Sequence, residues 1–100
     1  MNDIKEPNLQ KRANNIGIIY VQDVQQGIKI PTIDIGGVVT VKYEGVTIIV
    51  KITDKINETD FRGRIIGFEG IVDENYKDLS VNDIIKFYEE NIIGYSPTKN

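Results

Sequence analysis

Carboxylates, lysines, tyrosines and hydroxyl groups are the side chains of this 100-residue chain whose chemistry suits catalysis. The chain has no His and no Cys, which excludes Ser-His and Cys-His nucleophilic mechanisms, thiol redox chemistry and the usual His/Cys zinc sites. Acid pairs such as Asp54 with Asp60, or Glu69 with Glu90, suit general acid–base work only at a particular separation and burial. No combination of residues meets the criteria for an active site, so we predict a non-enzymatic protein without a cofactor.

Two further motifs suggest ligands but are better explained otherwise. Asp73, Glu74 and Asp78 offer oxygens to a cation such as Ca²⁺, yet their spacing differs from the alternating ligands and central Gly of an EF-hand loop. We predict a solvated acidic loop and no metal site. The Gly36-Gly37 pair lacks the spacing and the following Lys-Ser/Thr of a phosphate-binding loop, so we predict a turn before the next strand.

The strongest candidate for function is a binding surface on the outside of the central strands. If the strand that ends near Asp54 pairs with the strand that begins near Phe61, the outer face holds Ile49 beside Ile66 and Lys51 beside Arg64. The same register puts Thr47 beside Phe68 and Thr53 beside Arg62. The predicted binding residues are Lys42, Ile49, Lys51, Arg62, Arg64, Ile66 and Phe68.

Three interpretations of this surface remain open. It can be the outer wall of a closed sheet, with the apolar residues covered by the segment before Gly36. It can contact a protein partner or a second copy of the chain, with Arg and Phe as anchors. It can also stack bases and neutralise a few phosphates of a single-stranded nucleic acid. We predict a protein-binding module and keep nucleic acid as the alternative.

Charge and hydropathy restrict the partners. A net charge of −3 disfavours broad attraction to duplex phosphate, which requires a dominant basic face. No apolar run approaches the roughly 18 residues of a membrane span, and residues 1–9 lack the features of a secretion signal. We therefore predict a soluble, cytoplasmic protein with no membrane partner.

The elements that must position this surface are strands, because the chain contains 19 Ile and 9 Val but only 2 Leu and 1 Ala. Apolar and polar residues alternate from Val38 to Asp54. A reversal at Glu44-Gly45 pairs Val41 with Ile48 and Val39 with Val50, which places both apolar sets on one face.

The next strand is predicted over residues 61–69, with Phe61, Gly63, Ile65 and Gly67 inward. Gly63 and Gly67 suggest a bend or bulge there. Two more strands are predicted upstream. They cover residues 16–21 and 28–31 and are separated by a turn at residues 25–27.

Residues 80–92 fit two structures. Ser80 as N-cap, an apolar stripe and Gly94 after the end are typical of an amphipathic helix. Glu89 and Glu90 oppose the helix dipole at that end, and the β-branched content favours a turn at residues 81–83 followed by a strand over residues 84–88. We favour the strand; a helix would make the domain α+β.

In architecture, the strand pattern of residues 16–95 resembles the small barrels of the SH3-like and OB classes, and this resemblance implies a mainly β barrel of five to six short strands. We predict one domain over residues 16–95, a flexible arm over residues 1–15 and a disordered tail over residues 96–100. Such small β domains without disulfides often gain stability by association, so a homo-oligomer is expected.

Overall fold

The computed structural model describes residues 4–13, 16–20 and 32–97 of the chain. Eight strands and one short 3₁₀ turn are present in these ranges, and no α-helix. The strands are β1 (Ile19–Tyr20), β2 (Val38–Tyr43), β3 (Val46–Lys55), β4 (Asp60–Phe68), β5 (Asn75–Tyr76), β6 (Leu79–Ser80), β7 (Ile84–Tyr88) and β8 (Gly94–Ser96). The 3₁₀ turn is Glu89–Asn91, between β7 and β8. The prediction of a mainly β protein is therefore confirmed.

The strands form a six-stranded sheet in the order β1-β8-β2-β3-β4-β7 and a separate two-stranded sheet of β5 and β6. Neighbouring strands are antiparallel except β1 and β8, which are parallel. One face of the large sheet carries the core, in which the fully buried side chains include Val41, Ile48, Phe61 and Phe87. In the described ranges neither sheet closes into a barrel.

The β2–β3 hairpin has the predicted register. Val41 pairs with Ile48 and Val39 with Val50, and all four side chains are fully buried. Both turn residues have positive φ, 50° at Glu44 and 85° at Gly45, as a type I′ turn requires. The left-handed conformation costs a non-glycine residue such as Glu44 roughly 1–2 kcal/mol. The free energy gained by burying the side chains of the two paired strands outweighs this cost.

The β3–β4 hairpin keeps the predicted register only at its centre, where Val50 pairs with Ile65 and Lys51 with Arg64. The register shifts on both sides of this centre. At one end Ile65 pairs with Val50, and Gly67 pairs with the next residue of β3, Ile49. Ile66 therefore has no partner on β3 and is an extra residue. At the other end Thr53 is the extra residue, since Arg62 pairs with Asp54.

The bulge at Ile66 reverses the predicted orientation of Phe68. Alternation without a bulge would place Phe68 outside beside Thr47, but Phe68 pairs with Ile48 and is only 6% exposed. One inserted residue moves every following side chain to the opposite face of a strand. The prediction of an outward Phe68 was wrong because the bulge lies between it and the central pairs.

Residues 80–92 adopt the favoured strand structure. Asn82 has φ of 79°, and the Asp83 carboxylate accepts a bond of 2.8 Å from the Ser80 N–H, which makes a tight turn before β7. A helix over these residues would require Asn82 to have a right-handed backbone conformation with negative φ. Two short elements were not predicted: β8, with Tyr95 buried, and the β5–β6 hairpin, with Leu79 buried within the acidic stretch.

Residues near both ends of the chain pack on the domain or belong to its strands. Residues 4–13, for which the sequence predicts a flexible arm, pair with β7 through Lys5 and bury Leu9 in the core. Ser96, placed in the predicted tail, is the last residue of β8. Of the upstream strands, only Ile19–Tyr20 appears as β1; the strand predicted over residues 28–31 and the turn at residues 25–27 lie outside the described residues.

Candidate functional site

The outer face of the central strands brings together four of the seven predicted binding residues. On β3, Ile49 and Lys51 are two residues apart and share this face, and on β4 the same holds for Arg64 and Ile66. Lys51 lies directly opposite Arg64, while Ile49 lies opposite the bulge that contains Ile66. We call this group of Ile49, Lys51, Arg64 and Ile66 the outer-face block.

The block places two like charges opposite each other. Lys51 is exposed and has no ion pair among the described residues, and the guanidinium of Arg64 donates a bond of 3.1 Å to the Asn82 side-chain oxygen rather than to a carboxylate. Like charges that face each other across a sheet reduce stability. The block therefore has uncompensated positive charge within a protein whose net charge is −3.

The apolar part of the block is accessible. Ile66 is 40% exposed on the outer face, and Ile49 is half-buried. Neither residue belongs to the buried cluster on the core face. Aliphatic and cationic side chains thus occupy adjacent positions on one surface.

Arg62 extends the positive charge along β4. It lies opposite Asp54 on β3 and Lys86 on β7, without an ion pair to any described residue, and its Nε atom is buried without a hydrogen-bond partner in the described ranges. Lys86 itself is 3.7 Å from a Glu6 carboxylate oxygen and lies over the ring of Tyr88. Arg62 and Lys86 form a second facing pair of cations beside the block.

The remaining two predicted residues are not in the block. Lys42 is on β2, paired with Thr47, and its carbonyl accepts a bond from the Gln10 N–H. Phe68 packs on the core face against the Tyr76 ring, with 6.2 Å between ring centroids. The outer-face block consequently has no aromatic side chain of its own.

A tyrosine–carboxylate contact that the sequence did not reveal joins β2 to the β5–β6 turn. The Tyr43 hydroxyl donates a bond of 2.7 Å to the Asp78 carboxylate. This bond lowers the pKa of Asp78 and raises the pKa of Tyr43, because it stabilises the ionised acid and the protonated phenol. Thirty-five positions separate the two residues, so no local pattern indicates the contact.

The described residues contain no group of three or more His, Cys, Asp or Glu side chains placed to hold a metal ion. Asp60 is bonded to the Thr59 hydroxyl, and Asp54 interacts with its neighbour Thr53. At the predicted turn, Gly36 has φ of 92°, Gly37 lies against the Tyr95 ring, and strand β2 rather than a helix follows from Val38.

Comparison of the chain with protein-family models, with curated proteins and with solved structures finds no match. Within residues 4–13, 16–20 and 32–97 there is no helix with the length and apolar character needed to cross a membrane.

Proposed function

We propose that the protein is a non-enzymatic binding module that uses the outer-face block to engage an acidic surface of a protein partner. The observation that carries this proposal is the facing pair of Lys51 and Arg64 beside the exposed Ile66. Facing cations cost stability when the protein is free. A partner's carboxylates would remove that cost on binding, and Arg is enriched among interface anchors.

A second copy of the chain is also a candidate partner, because the molecule carries acids as well as this basic face. A strand from another molecule could pair with the β7 edge only by displacing Lys5, which already forms two backbone bonds there. While Lys5 occupies that edge, we propose association through the outer face. Single-stranded nucleic acid is the weaker alternative, because the inward position of Phe68 removes the residue expected to stack a base.

For the finer architecture we propose the small barrel of the SH3-like or OB class. The path from Tyr88 to Gly94 supports it. In a flat sheet, β7 and β8 would be separated by four strand spacings, about 19 Å. A connection of this length that includes a 3₁₀ turn reaches at most about 18 Å. These two lengths are nearly equal, so a flat sheet would require a fully extended connection. A curled sheet brings β7 and β8 closer and is the geometry from which a small barrel closes.

The proposal can be tested by NMR titration of the full chain with three probes: a peptide of alternating Glu and Val, an oligo(dT) strand, and the protein itself over a concentration series. We expect the peptide to shift the amide signals of residues 49–51 and 64–67. The variant K51E/R62E/R64E should abolish these shifts. The variant K11E/K55E/K77E changes the net charge by the same amount at other positions and should retain them.

The proposal is wrong if the peptide leaves the block unchanged, or if the two triple variants weaken its binding equally. Shifts with oligo(dT) alone would replace it with the nucleic-acid alternative, and binding should then fall steeply with salt. Shifts at the same residues on concentrating the protein alone would identify a second copy as a partner.

A further inference from the structure

Residues 4–12 pack on the rest of the domain through backbone, apolar and charged contacts. Lys5 pairs with β7 in parallel: its N–H donates to the Ile84 carbonyl at 2.9 Å, and its carbonyl accepts from the Lys86 N–H at 2.8 Å. The Lys5 ammonium group also contacts the Asp83 carboxylate at 2.8 Å. This segment, which we call the N-terminal strap, thus adds a short strand to the edge of the sheet.

The middle and end of the strap have their own receptor sites. Leu9 is 7% exposed and belongs to the buried core cluster. The Arg12 guanidinium donates to the carbonyls of Glu89 and Ile92 at 2.6 and 2.7 Å and to the Glu89 carboxylate at 2.9 Å. The Glu89 carbonyl also accepts from the Ile92 N–H at 3.1 Å, so Arg12 adds a second donor at the end of the 3₁₀ turn.

Buried Asn91 adds a polar contact to this interface. Its side-chain oxygen accepts from the Tyr88 N–H at 2.9 Å, and its amide nitrogen lies 3.5 Å from the Leu9 carbonyl and 3.4 Å from the Gln10 carbonyl. Removal of the strap would leave this amide and the carbonyls near it without those partners. The receptor surface therefore has a defined chemistry: a strand edge, an apolar site for Leu, and carbonyls for Arg.

The described residues that flank the connection from the strap to the domain are exposed. Ala13, Ile16 and Gly17 are exposed, and a β-carbon at Gly17 would meet no atom within 4 Å. A turn bond of 3.0 Å from the Ile16 N–H to the Ala13 carbonyl brings the chain back toward its own domain. Opening at this connection would expose Leu9, and the receptor surface of a second copy would bury it again.

We propose that the receptor surface of one copy also accepts the strap of a second copy, so that two chains form a dimer by reciprocal exchange of residues 4–12. Every contact of the strap is the same whether it comes from its own chain or from the partner. The equilibrium therefore depends on the joint at residues 13–17 and on concentration. This association is independent of the outer-face block.

A disulfide trap distinguishes the two states, because the natural chain has no Cys. Lys11 and Glu90 are exposed, with 3.6 Å between their charged atoms, and the bond from the Arg12 N–H to the Glu90 carbonyl keeps their backbones adjacent. In K11C/E90C, a strap bound to its own domain gives an intramolecular bond and an exchanged strap gives a covalent dimer. The single variants K11C and E90C measure dimers that form by random collision.

We expect the covalent dimer of K11C/E90C to increase with protein concentration during refolding and to exceed both single variants several-fold. Ile16→Pro removes the donor of the turn bond and should raise the dimer fraction several-fold, whereas Ile16→Val keeps the donor and should not. An exclusively intramolecular bond at all concentrations, unchanged by Ile16→Pro, would overturn the proposal. Absence of any bond between positions 11 and 90 would also overturn it, because the strap would then not occupy its receptor.

Discussion

Lys51→Glu should make the protein more stable while it abolishes binding through the outer-face block. Lys51 lies directly opposite Arg64, so the substitution converts a facing repulsion into a facing attraction. The Lys51 side chain is exposed and makes no ion pair among the described residues, and no buried group is lost. Glu and Lys also have similar, low strand propensities, which leaves charge as the main difference.

The size of the effect follows from the separation of the charges. Two unit charges about 5–8 Å apart in water interact by about 0.5–0.8 kcal/mol. Loss of one repulsion and gain of one attraction therefore stabilises the fold by about 1 kcal/mol before opposing terms. The net charge changes by −2, from −3 to −5, and general repulsion reduces the gain. We expect a net increase of about 0.5–1 kcal/mol at low salt.

Urea unfolding followed by circular dichroism measures this change. Lys51→Gln is the control, because it removes the repulsion without adding an attraction, and it should show about half the gain. In 1 M NaCl, where the Debye length is about 3 Å, both gains should largely disappear. A Lys51→Glu variant that is less stable than the natural protein at low salt would refute the facing arrangement, as would a gain that does not depend on salt.

Further outcomes are expected at other positions. Phe68→Ala should lower the free energy of unfolding by about 3–5 kcal/mol. Ile66→Ala should change it by less than about 1 kcal/mol. Equal losses of the two variants in urea unfolding would contradict the bulge. Gly63→Ala should lower the free energy of unfolding by about 1–3 kcal/mol, because the added β-carbon would lie 2.7 Å from the Lys51 carbonyl oxygen. An unchanged unfolding midpoint would argue against that close approach. Tyr43→Phe should lower stability at neutral pH by removing the bond to Asp78. That bond lowers the pKa of Asp78 from an ordinary 3.8, so its contribution is present above this pH and is lost as the pH falls through the lowered value. It also raises the pKa of Tyr43 from 10.0, so the contribution is lost again as the pH rises through the raised value. The stability difference from Tyr43→Phe should thus narrow at both extremes, and a difference that is constant with pH would exclude the bond.

The β2–β3 hairpin could be predicted from the sequence because its information is local. Alternation on both sides of Glu44-Gly45 allows one register that buries both apolar sets, and a shift by one residue would expose half of them. The central pairs of β3 and β4, including Lys51 with Arg64, follow from the same constraint. Of the four outer-face pairs that the sequence predicts, only Lys51 with Arg64 is present in the structure.

The positions beyond those central pairs were not predictable in the same way. Residues 65–68 read Ile-Ile-Gly-Phe; simple alternation after the inward Ile65 places both Ile66 and Phe68 outside, whereas one inserted residue turns Phe68 toward the core. The structure selects the bulge, which buries Phe68 against Tyr76 and leaves Ile66 outside. Tyr76 belongs to a hairpin that the sequence did not indicate, so this choice depends on packing from elsewhere in the chain.

By itself the sequence determined a β-rich chain without His or Cys chemistry, the first hairpin, and a cationic row on its third and fourth strands. Only the tertiary structure decided that Ile66 and not Phe68 lies beside that row. It alone also showed that Leu9 and Arg12 pack on residues 89–92, about eighty positions away. The physical reason is the range of the interactions. Alternation is imposed by neighbouring residues along one strand, whereas bulges, edge pairing and the strap depend on surfaces that exist only after distant segments have met.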